Sequence, residues 1–415
     1  MEDQTMGGLR RDRVKFRGGS GFELAARVEL PVGRPRAHAL FAHCFTCSKD
    51  LKAARRISMA LAERGIAVMR FDFTGIGESE GDFVETDFSS NVGDLVAAAD
   101  FMREHYGPPR ILIGHSLGGA AVLSAAARIP DSVAVATIAA PSDTSHLGDR
   151  LIRLAPELDR RGEAEVNLGG RRFRVRRELV DDLHENELEP AIAALGRALL
   201  VMHSPSDEAI GIDNAWRIFE AAGHPKSFVA LEGADHLLLR NERDARYAAE
   251  VLAAWADRYL DDDEAAERSE EGQRGVVEVC GGASGYLQQI VAGPHRFVAD
   301  EPTRVGGTDQ GPTPYDLLLA GLGACTSMTL RMYADRKGWP LDQVDVRLSH
   351  DRVHARDCED CMSTEGRVDV IERVVRVQGE LDASQRARLL EIADRCPVHR
   401  TLENEIKIRT APEES

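Results

Sequence analysis

What the chain lacks narrows its work first. No run of about 18 apolar residues, the length a bilayer-spanning helix needs, occurs in its 415 residues. Nor is there a basic surplus. With 52 Lys and Arg against 69 Asp and Glu the net charge is -17, which argues against a nucleic-acid or anionic-membrane role, since both need basic surface. The N-terminal residues, with Glu2, Asp3 and the charged Arg10–Arg13 segment, carry no apolar stretch of a secretion signal. A soluble, cytoplasmic protein is the expectation. Cysteine is sparse: seven residues, an odd set scattered along a long chain, argue against the disulfide framework of a small secreted domain.

The length exceeds what one hydrophobic core usually fills, so two domains are expected. From Val14 to Pro31 apolar and polar residues alternate around a glycine-rich break, the pattern of a β-hairpin at a sheet edge. His38–Phe45, Ile66–Phe73, Arg110–Gly114, Val133–Ala140, Ala198–Met202 and Ser227–Leu231 are apolar without alternation, as strands covered on both faces of a parallel sheet must be. Helical patterns lie between most of them, at Lys49–Arg64, Phe88–Tyr106, Leu117–Arg128, Asp213–Ala222 and Arg243–Leu260. This alternation predicts a doubly wound, mostly parallel α/β domain over 1–260. The charged interval at about 141–190, with its arginine-rich segment Gly169–Arg177, breaks the rhythm and reads as a small cap. Its arginines favour acidic substrates only if they are not an ordinary solvated face.

The densest signal is Arg110–Ala121, where an apolar strand ends at Gly114, Ser116 sits between Gly114 and Gly118, and an alanine-rich helix follows. Two glycines allow the sharp turn that leaves a serine nucleophile projecting. A serine hydroxyl needs a histidine base, and the histidine a carboxylate to orient it and stabilise its cation. Asp207 follows the strand Ala198–Met202 and His236 follows Ser227–Leu231, so all three are expected on one edge of the sheet. Asp213, Asp235 and Asp72 are the alternative acids, Asp72 being better placed to organise its own loop. His203 and His115 read as structural. The oxyanion needs two backbone N–H donors, for which Leu117, just after the serine, and Phe45, in the turn after the strand at 39–43, are the candidates.

Ser116, Asp207 and His236, with the His43-Cys44-Phe45 turn, resemble the α/β-hydrolase superfamily over about Val14–Leu260. That superfamily usually has glycine where this chain has Cys44. The resemblance implies acyl chemistry without choosing a substrate. With a modest cap, small to medium carboxylic esters are expected, and transfer of the acyl group to acceptors other than water is the variant to separate from hydrolysis.

Residues 261–274 are an acidic linker, since Asp261–Gly272 is nearly all charge. An α+β domain is expected over 275–415. It has short strands at Val276–Val279, Tyr286–Val291 and His295–Ala299, then a long apolar helix Asp316–Lys337. Strands Val344–His354 and Arg367–Leu381, a helix Ala383–Asp394 and a last strand Glu405–Thr410 complete it. Cys325 lies in the apolar helix and Cys396 opens Cys-Pro-Val-His after the next one. A thiol pair of this kind suits peroxide reduction, one thiolate being oxidised to a sulfenic acid that the other resolves. The stretch Gly311–Cys325 and the Cys-Pro-Val motif resemble the OsmC/Ohr family of hydroperoxide-resistance proteins over about Val276–Ile408. The resemblance implies a peroxidatic Cys325, a resolving Cys396 and an activating acid at Asp316, where many members have glutamate. It also implies an arginine, with Arg296 and Arg304 both open, and an intertwined dimer. Cys358 and Cys361 form a Cys-x-x-Cys near His350 and His354, read as a strand-connecting loop or auxiliary redox pair rather than a metal site. Cys44, Cys47 and Cys280 are read as packing residues.

The function expected is bifunctional: a serine-dependent ester hydrolase joined to a cysteine-dependent organic hydroperoxide reductase. Its partners would be small esters, organic hydroperoxides and a thiol reductant, with no cofactor or metal, in a homodimer or higher oligomer. The alternative is a hydrolase or acyltransferase whose C-terminal domain is a non-catalytic dimerisation or binding module.

Overall fold

Strands that are apolar on both faces end up in the middle of one sheet. The computed structural model describes residues 9–44, 47–168, 171–260, 275–281, 285–293, 295–354 and 366–412. It divides the chain into two compact units, Met1–Val298 and Ala299–Ser415. The acidic 261–274 linker, Phe45 and the pair Cys358 and Cys361 lie outside the described residues.

In the first unit β1 (Arg10–Arg17) and β2 (Glu23–Leu30) form the antiparallel hairpin at the sheet edge. Beyond it run β3 (Ala37–Ala42), β4 (Ile66–Phe71), β5 (Pro109–His115) and β6 (Ala134–Ile138). After the cap hairpin, β7 (Glu163–Leu168) with β8 (Arg171–Arg176), come β9 (Ala198–His203) and β10 (Lys226–Ala230). The eight-stranded sheet has the order β1-β2-β4-β3-β5-β6-β9-β10, parallel from β4 onward. Every residue of β4, β6 and β9 is buried, which is why their sequences carry no alternation.

Helices cover both faces. On one side Ala53, Ile57 and Leu61 of α1 (Lys52–Glu63) join Ala248 and Leu252 of the helix Glu242–Ala256 over Val68 and Ile111. On the other, Leu95, Ala99 and Met102 of α2 (Phe88–His105) meet Ala120 and Val122 of α3 (Leu117–Ala125). The second core also takes in Leu151, Leu179, Val180 and Leu183 from the cap, so the cap is bound by apolar packing to the α2–α3 side. Its basic strand β8 is not an open cationic face: Arg174 lies 3.5 Å from Asp82 and Arg176 3.7 Å from Glu85, while Phe173 packs on Phe83. This weakens the case for an acid-attracting cap.

A three-stranded sheet of Val277–Gly281, Gln288–Ala292 and His295–Ala299 runs up to the division between the units. Arg296 there donates to the carbonyls of Val32 and, at 2.6 Å, Arg34.

In the second unit the helix Pro314–Lys337 starts on Thr313, whose hydroxyl accepts from the Asp316 N–H in a capping box with proline in the first turn. Leu322, Thr326, Leu330 and Ala334 are its buried residues, one every four. That stripe packs with Leu341, Leu381, Leu389 and Ile392. By length and composition alone this helix is apolar enough to cross a membrane, with an 18-residue window of hydropathy 1.2, although no uninterrupted apolar run marks it. The buried stripe is the signature of a helix packed in a protein core. The strands Leu341–His354 and Arg367–Gly379 form a long antiparallel ribbon.

One expected element is absent. Residues Glu405–Thr410 form no strand, and Ile406 and Ile408 are exposed. Their period-2 pattern describes a strand only if another strand supplies hydrogen bonds. Instead Pro397–Glu403 is a short helix, started by Cys396 as N-cap and proline in its first turn.

Candidate active site

Strand register brings the site together. Ala42 lies opposite Gly114, His115 opposite Ile138, Ile138 opposite Met202, and His203 opposite Ala230. The chain segments leaving β3, β5, β9 and β10 therefore emerge at one edge, the edge where ligands bind open α/β sheets. Ser116 makes the turn between β5 and α3 with φ 55° and ψ -125°, a conformation that costs an L-residue roughly 1–3 kcal/mol. The turn is held by the Ser116 N–H donating to the Ile138 carbonyl at 2.8 Å and the Gly119 N–H donating to the Ser116 carbonyl at 2.8 Å.

The flanking glycines are required by contact. A Cβ on Gly114 would lie 2.2 Å from the Gly118 carbonyl oxygen, and one on Gly118 would lie 2.4 and 2.5 Å from the oxygens of Ala42 and His43. Gly118→Ala must push α3 off the end of β3. The expected result is a loss of about 1–3 kcal/mol in urea unfolding, with kcat lowered about 100-fold by misplacement of Ser116. Wild-type-like kinetics would show that the turn absorbs a methyl group.

His236 Nε2 lies 3.1 Å from Ser116 Oγ, and its Nδ1 2.8 Å from Asp207 Oδ2. The Asp207 side chain has no exposure, that of His236 is 18% exposed, and Ser116 is half-buried. Burial alone would raise Asp207, but hydrogen bonds from His236, Ile210 N–H and Ala209 N–H outweigh it and hold the carboxyl below its usual range. It stays an anion, able to fix Nδ1–H and stabilise the imidazolium. Leu117 opens α3, and the first N–H groups of a helix have no intrahelical acceptor. The other oxyanion candidate, Phe45, falls outside the described residues.

The alternative acids are elsewhere. Asp72 accepts from Lys49 N–H and Lys49 Nζ, both at 2.6 Å, and from Glu78 N–H at 3.0 Å, tying three chain segments together. Asp235 accepts from Leu239 and Arg240 N–H, and Asp213 begins the helix Asp213–Ala221. His203 Nε2–H donates to the Ile210 carbonyl, steadying the Asp207 loop.

His115 has a larger part than packing: its Nε2–H donates to the His236 carbonyl at 2.7 Å. Burial first, then the neighbouring His236, lowers its pKa from the ordinary 6.5 to about 4. Between those values the folded protein keeps it neutral while the unfolded chain takes up a proton. Its stabilising effect is therefore complete above about pH 6.5 and lost as pH falls toward about 4, amounting to roughly 3 kcal/mol. His115→Gln keeps an N–H donor and removes the titration, so the acid fall in urea stability should flatten by about that amount. An unchanged fall would assign it to other groups.

Sequence reasoning missed the bond between Cys44 and Cys47, a disulfide with Cα atoms 5.3 Å apart. The sequence alone suggests packing residues at both positions, although the spacing Cys-Phe-Thr-Cys is itself a signal.

In the second unit Cys325 and Cys396 are free thiols, the first half-buried and the second fully buried. The polar neighbours of Cys396 Sγ are Thr326 Oγ1 at 3.6 Å and His399 N–H at 3.3 Å. Arg373, unsignalled in the sequence, donates to Thr326 Oγ1 at 3.1 Å and pairs with Asp394 at 2.6 Å. Asp316 accepts from the Thr313 hydroxyl and N–H, which lowers its pKa and occupies it as a helix cap. It also lines a cleft of about 420 Å³ with Leu319, Gly323, Ser327, Val346 and Leu348, which Cys325 does not line. Arg296, one candidate for activating Cys325, is engaged by the carbonyls named above. Arg304 lies in the turn Thr303–Val305. His350 pairs with Asp369 and stacks on Tyr315, and among the described residues no cluster of three or more metal-ligating side chains occurs.

Known proteins resemble parts of this chain. Residues 33–158 match the family described as "Serine aminopeptidase, S33", and residues 307–411 the family described as "OsmC-like protein". The esterase domain of a Rhodothermus marinus protein is 50% identical, with a TM-score of 0.51, over 60% of this chain and 99% of that one. An α/β hydrolase from Penicillium, 17% identical with a TM-score of 0.51 over 60% of this chain and 99% of that one, shares the fold. A monoacylglycerol lipase from Mycolicibacterium smegmatis is 29% identical over 147 residues, 33% of this chain and 49% of that protein. Human monoglyceride lipase is 31% identical over 123 residues, 29% of this chain and 40% of that protein. The chain thus spans half or less of the length of these curated relatives. In its N-terminal part the chain belongs to the α/β-hydrolase superfamily, with esterases among its structural neighbours, and at its C-terminus it carries an OsmC-like domain.

Proposed function

We propose that the first unit hydrolyses small to medium carboxylic esters through an acyl-enzyme on Ser116. The observation that carries this reading is the hydrogen-bonded chain from Ser116 Oγ through His236 to the buried Asp207. His236 Nε2 takes the serine proton as Oγ attacks the ester carbonyl, and the N–H groups of Leu117 and Phe45 receive the negative charge of the tetrahedral intermediate. The same proton then goes to the departing alcohol, and water repeats the sequence on the acyl-enzyme. Transfer to another alcohol follows the same course with a different acceptor, so the ratio of hydrolysis to transfer on one ester separates the two.

The second unit is assigned, by its OsmC-like character, the reduction of organic hydroperoxides. The Cys325 thiolate attacks the peroxide oxygen, releasing an alcohol and leaving a sulfenic acid. Cys396 condenses with it, forming a disulfide and water, and an external dithiol restores both thiols. The protein is expected to act in the cytoplasm as a homodimer or larger assembly. The alternative, a non-catalytic dimerisation or binding module, draws on one observation: Leu318, Met328 and Met332 stay exposed on the long helix. A screen of aryl and alkyl esters and alkyl hydroperoxides, with wild type beside Ser116→Ala and Cys325→Ser, tests both halves. Loss of each activity in only its own variant is expected, and a hydroperoxide-inert wild type leaves the module reading in its place.

A further inference from the structure

Resting on the hydrolase reading, we infer that a small cavity beside Ser116 is the acyl subsite, that it takes the methyl group of acetyl esters, and that Phe83, backed by Phe173 of the cap, sets this limit. Among the described residues the apolar walls of the cavity are Phe73, Ile76, Phe83, Phe88, Leu117 and Ala121. Leu117 and Gly118, the two residues after Ser116, both line it, so it lies on the side of the Leu117 N–H. No described residue of the loops that carry Asp207 and His236 lines it. That placement assigns its occupant. The tetrahedral carbon carries Ser116 Oγ, the oxyanion, the departing alcohol and the acyl substituent. His236 must give its proton to the alcohol, which therefore leaves on the His236 side. The acyl substituent is the group left for the cavity.

The cavity measures about 10 Å³, room for one group of about the size of water. Of the acyl substituents, methyl comes closest to that size, and each further methylene must push into close-packed rings. The walls do not give equally. Phe73 is wedged between the rings of His43 and Phe71, at 5.0 and 4.8 Å, and Phe88, the first residue of α2, has no exposure. Phe83 is the most exposed of the six walls, at 9%. It begins the short helix Phe83–Glu85, whose backbone presses on Gly75, where a Cβ would lie 2.2 Å from the Phe83 nitrogen. Its ring packs on Phe173 of β8 at 4.8 Å, and the pairs Arg174–Asp82 and Arg176–Glu85 tie both ends of that helix to the same strand. Removing the Phe83 ring therefore opens the cavity toward the cap rather than into the core.

A series of nitrophenyl esters from acetate to octanoate keeps one alcohol and varies only the acyl length. For each, kcat/KM of the full-length protein is measured, corrected for the Ser116→Ala background and divided by the rate of the same ester with hydroxide. Wild type is expected to favour acetate over butyrate by about 100-fold or more, since each added methylene should cost about 10-fold or more. Phe83→Ala should raise the butyrate-to-acetate ratio at least about 10-fold, and Phe173→Ala, which removes no wall of the cavity, about threefold. A ratio taken within one preparation does not depend on how much of it is folded. Phe83→Leu, which keeps apolar bulk at the position, should shift the ratio the same way by less. A wild type that turns over butyrate or octanoate as fast as acetate overturns the inference, as does a ratio that stays at the wild-type value in both Phe83 variants. An unmoved ratio in Phe173→Ala overturns the part given to the cap. Absence of Ser116-dependent turnover of every ester would instead remove the hydrolase reading itself.

Discussion

Replacing Ser116 with alanine is expected to lower kcat for ester hydrolysis by about a millionfold while leaving KM nearly unchanged. Only Oγ can form the acyl-enzyme, and among the described residues it is the hydroxyl hydrogen-bonded to His236 Nε2, at 3.1 Å. The variant keeps the backbone donors and the pocket, so residual turnover should remain roughly 10³- to 10⁴-fold above water. Alanine removes no buried methylene and accepts the same turn, so the thermal midpoint should move little. Pre-steady-state measurement gives a second readout: wild type should release a burst of aryl alcohol equal to the number of active sites, and the variant none. Asp207→Asn tests the next member separately. It removes the anion while preserving shape, and a loss of about 10⁴ in kcat is expected because the amide favours the wrong tautomer of His236. Undiminished ester turnover in Ser116→Ala would assign the activity to another site.

Much of this centre is legible in the sequence because its determinants are local. Gly114, Ser116 and Gly118 are constrained by contacts within a few residues, and strand burial writes itself as unbroken apolar runs such as Ile66–Phe71. Strand order is not written in the same runs: β4 lies between β2 and β3. Apart from the Cys44–Cys47 disulfide, what escaped depends on partners that are distant in sequence. The strand pattern of Glu405–Thr410 looks sufficient until, among the described residues, no strand is found to pair with it. The arginines of β8 leave a substrate-attracting patch and a solvated face both open until Asp82 and Glu85, far back in the chain, are found beside Arg174 and Arg176. Arg373 carries no local signal at all, because its role comes from Thr326, 47 residues earlier.

Cys325→Ser is expected to reduce alkyl hydroperoxide consumption with a dithiol to the uncatalysed background, the second large effect. The arrangement around Cys396 explains why the two thiols should then behave differently. Thr326 has one hydroxyl proton, and it goes to the Leu322 carbonyl at 2.8 Å, so its oxygen accepts from Arg373 and from the Cys396 thiol. Cys396 is thus buried and hydrogen-bonded to Thr326 and the His399 N–H, suited to wait rather than to attack. Cys325, half-buried one residue before Thr326, is the more accessible of the pair. Cys396→Ser should therefore still consume about one equivalent of hydroperoxide per site, leaving a sulfenic acid that a dimedone-type reagent traps, and should fail only in steady turnover. Cys325→Ser should trap nothing. If both variants lose the first equivalent, Cys396 takes part in the initial oxidation and the division of roles is wrong. If neither loses turnover, the domain has no thiol peroxidase chemistry, and its exposed apolar helix becomes its main physical feature.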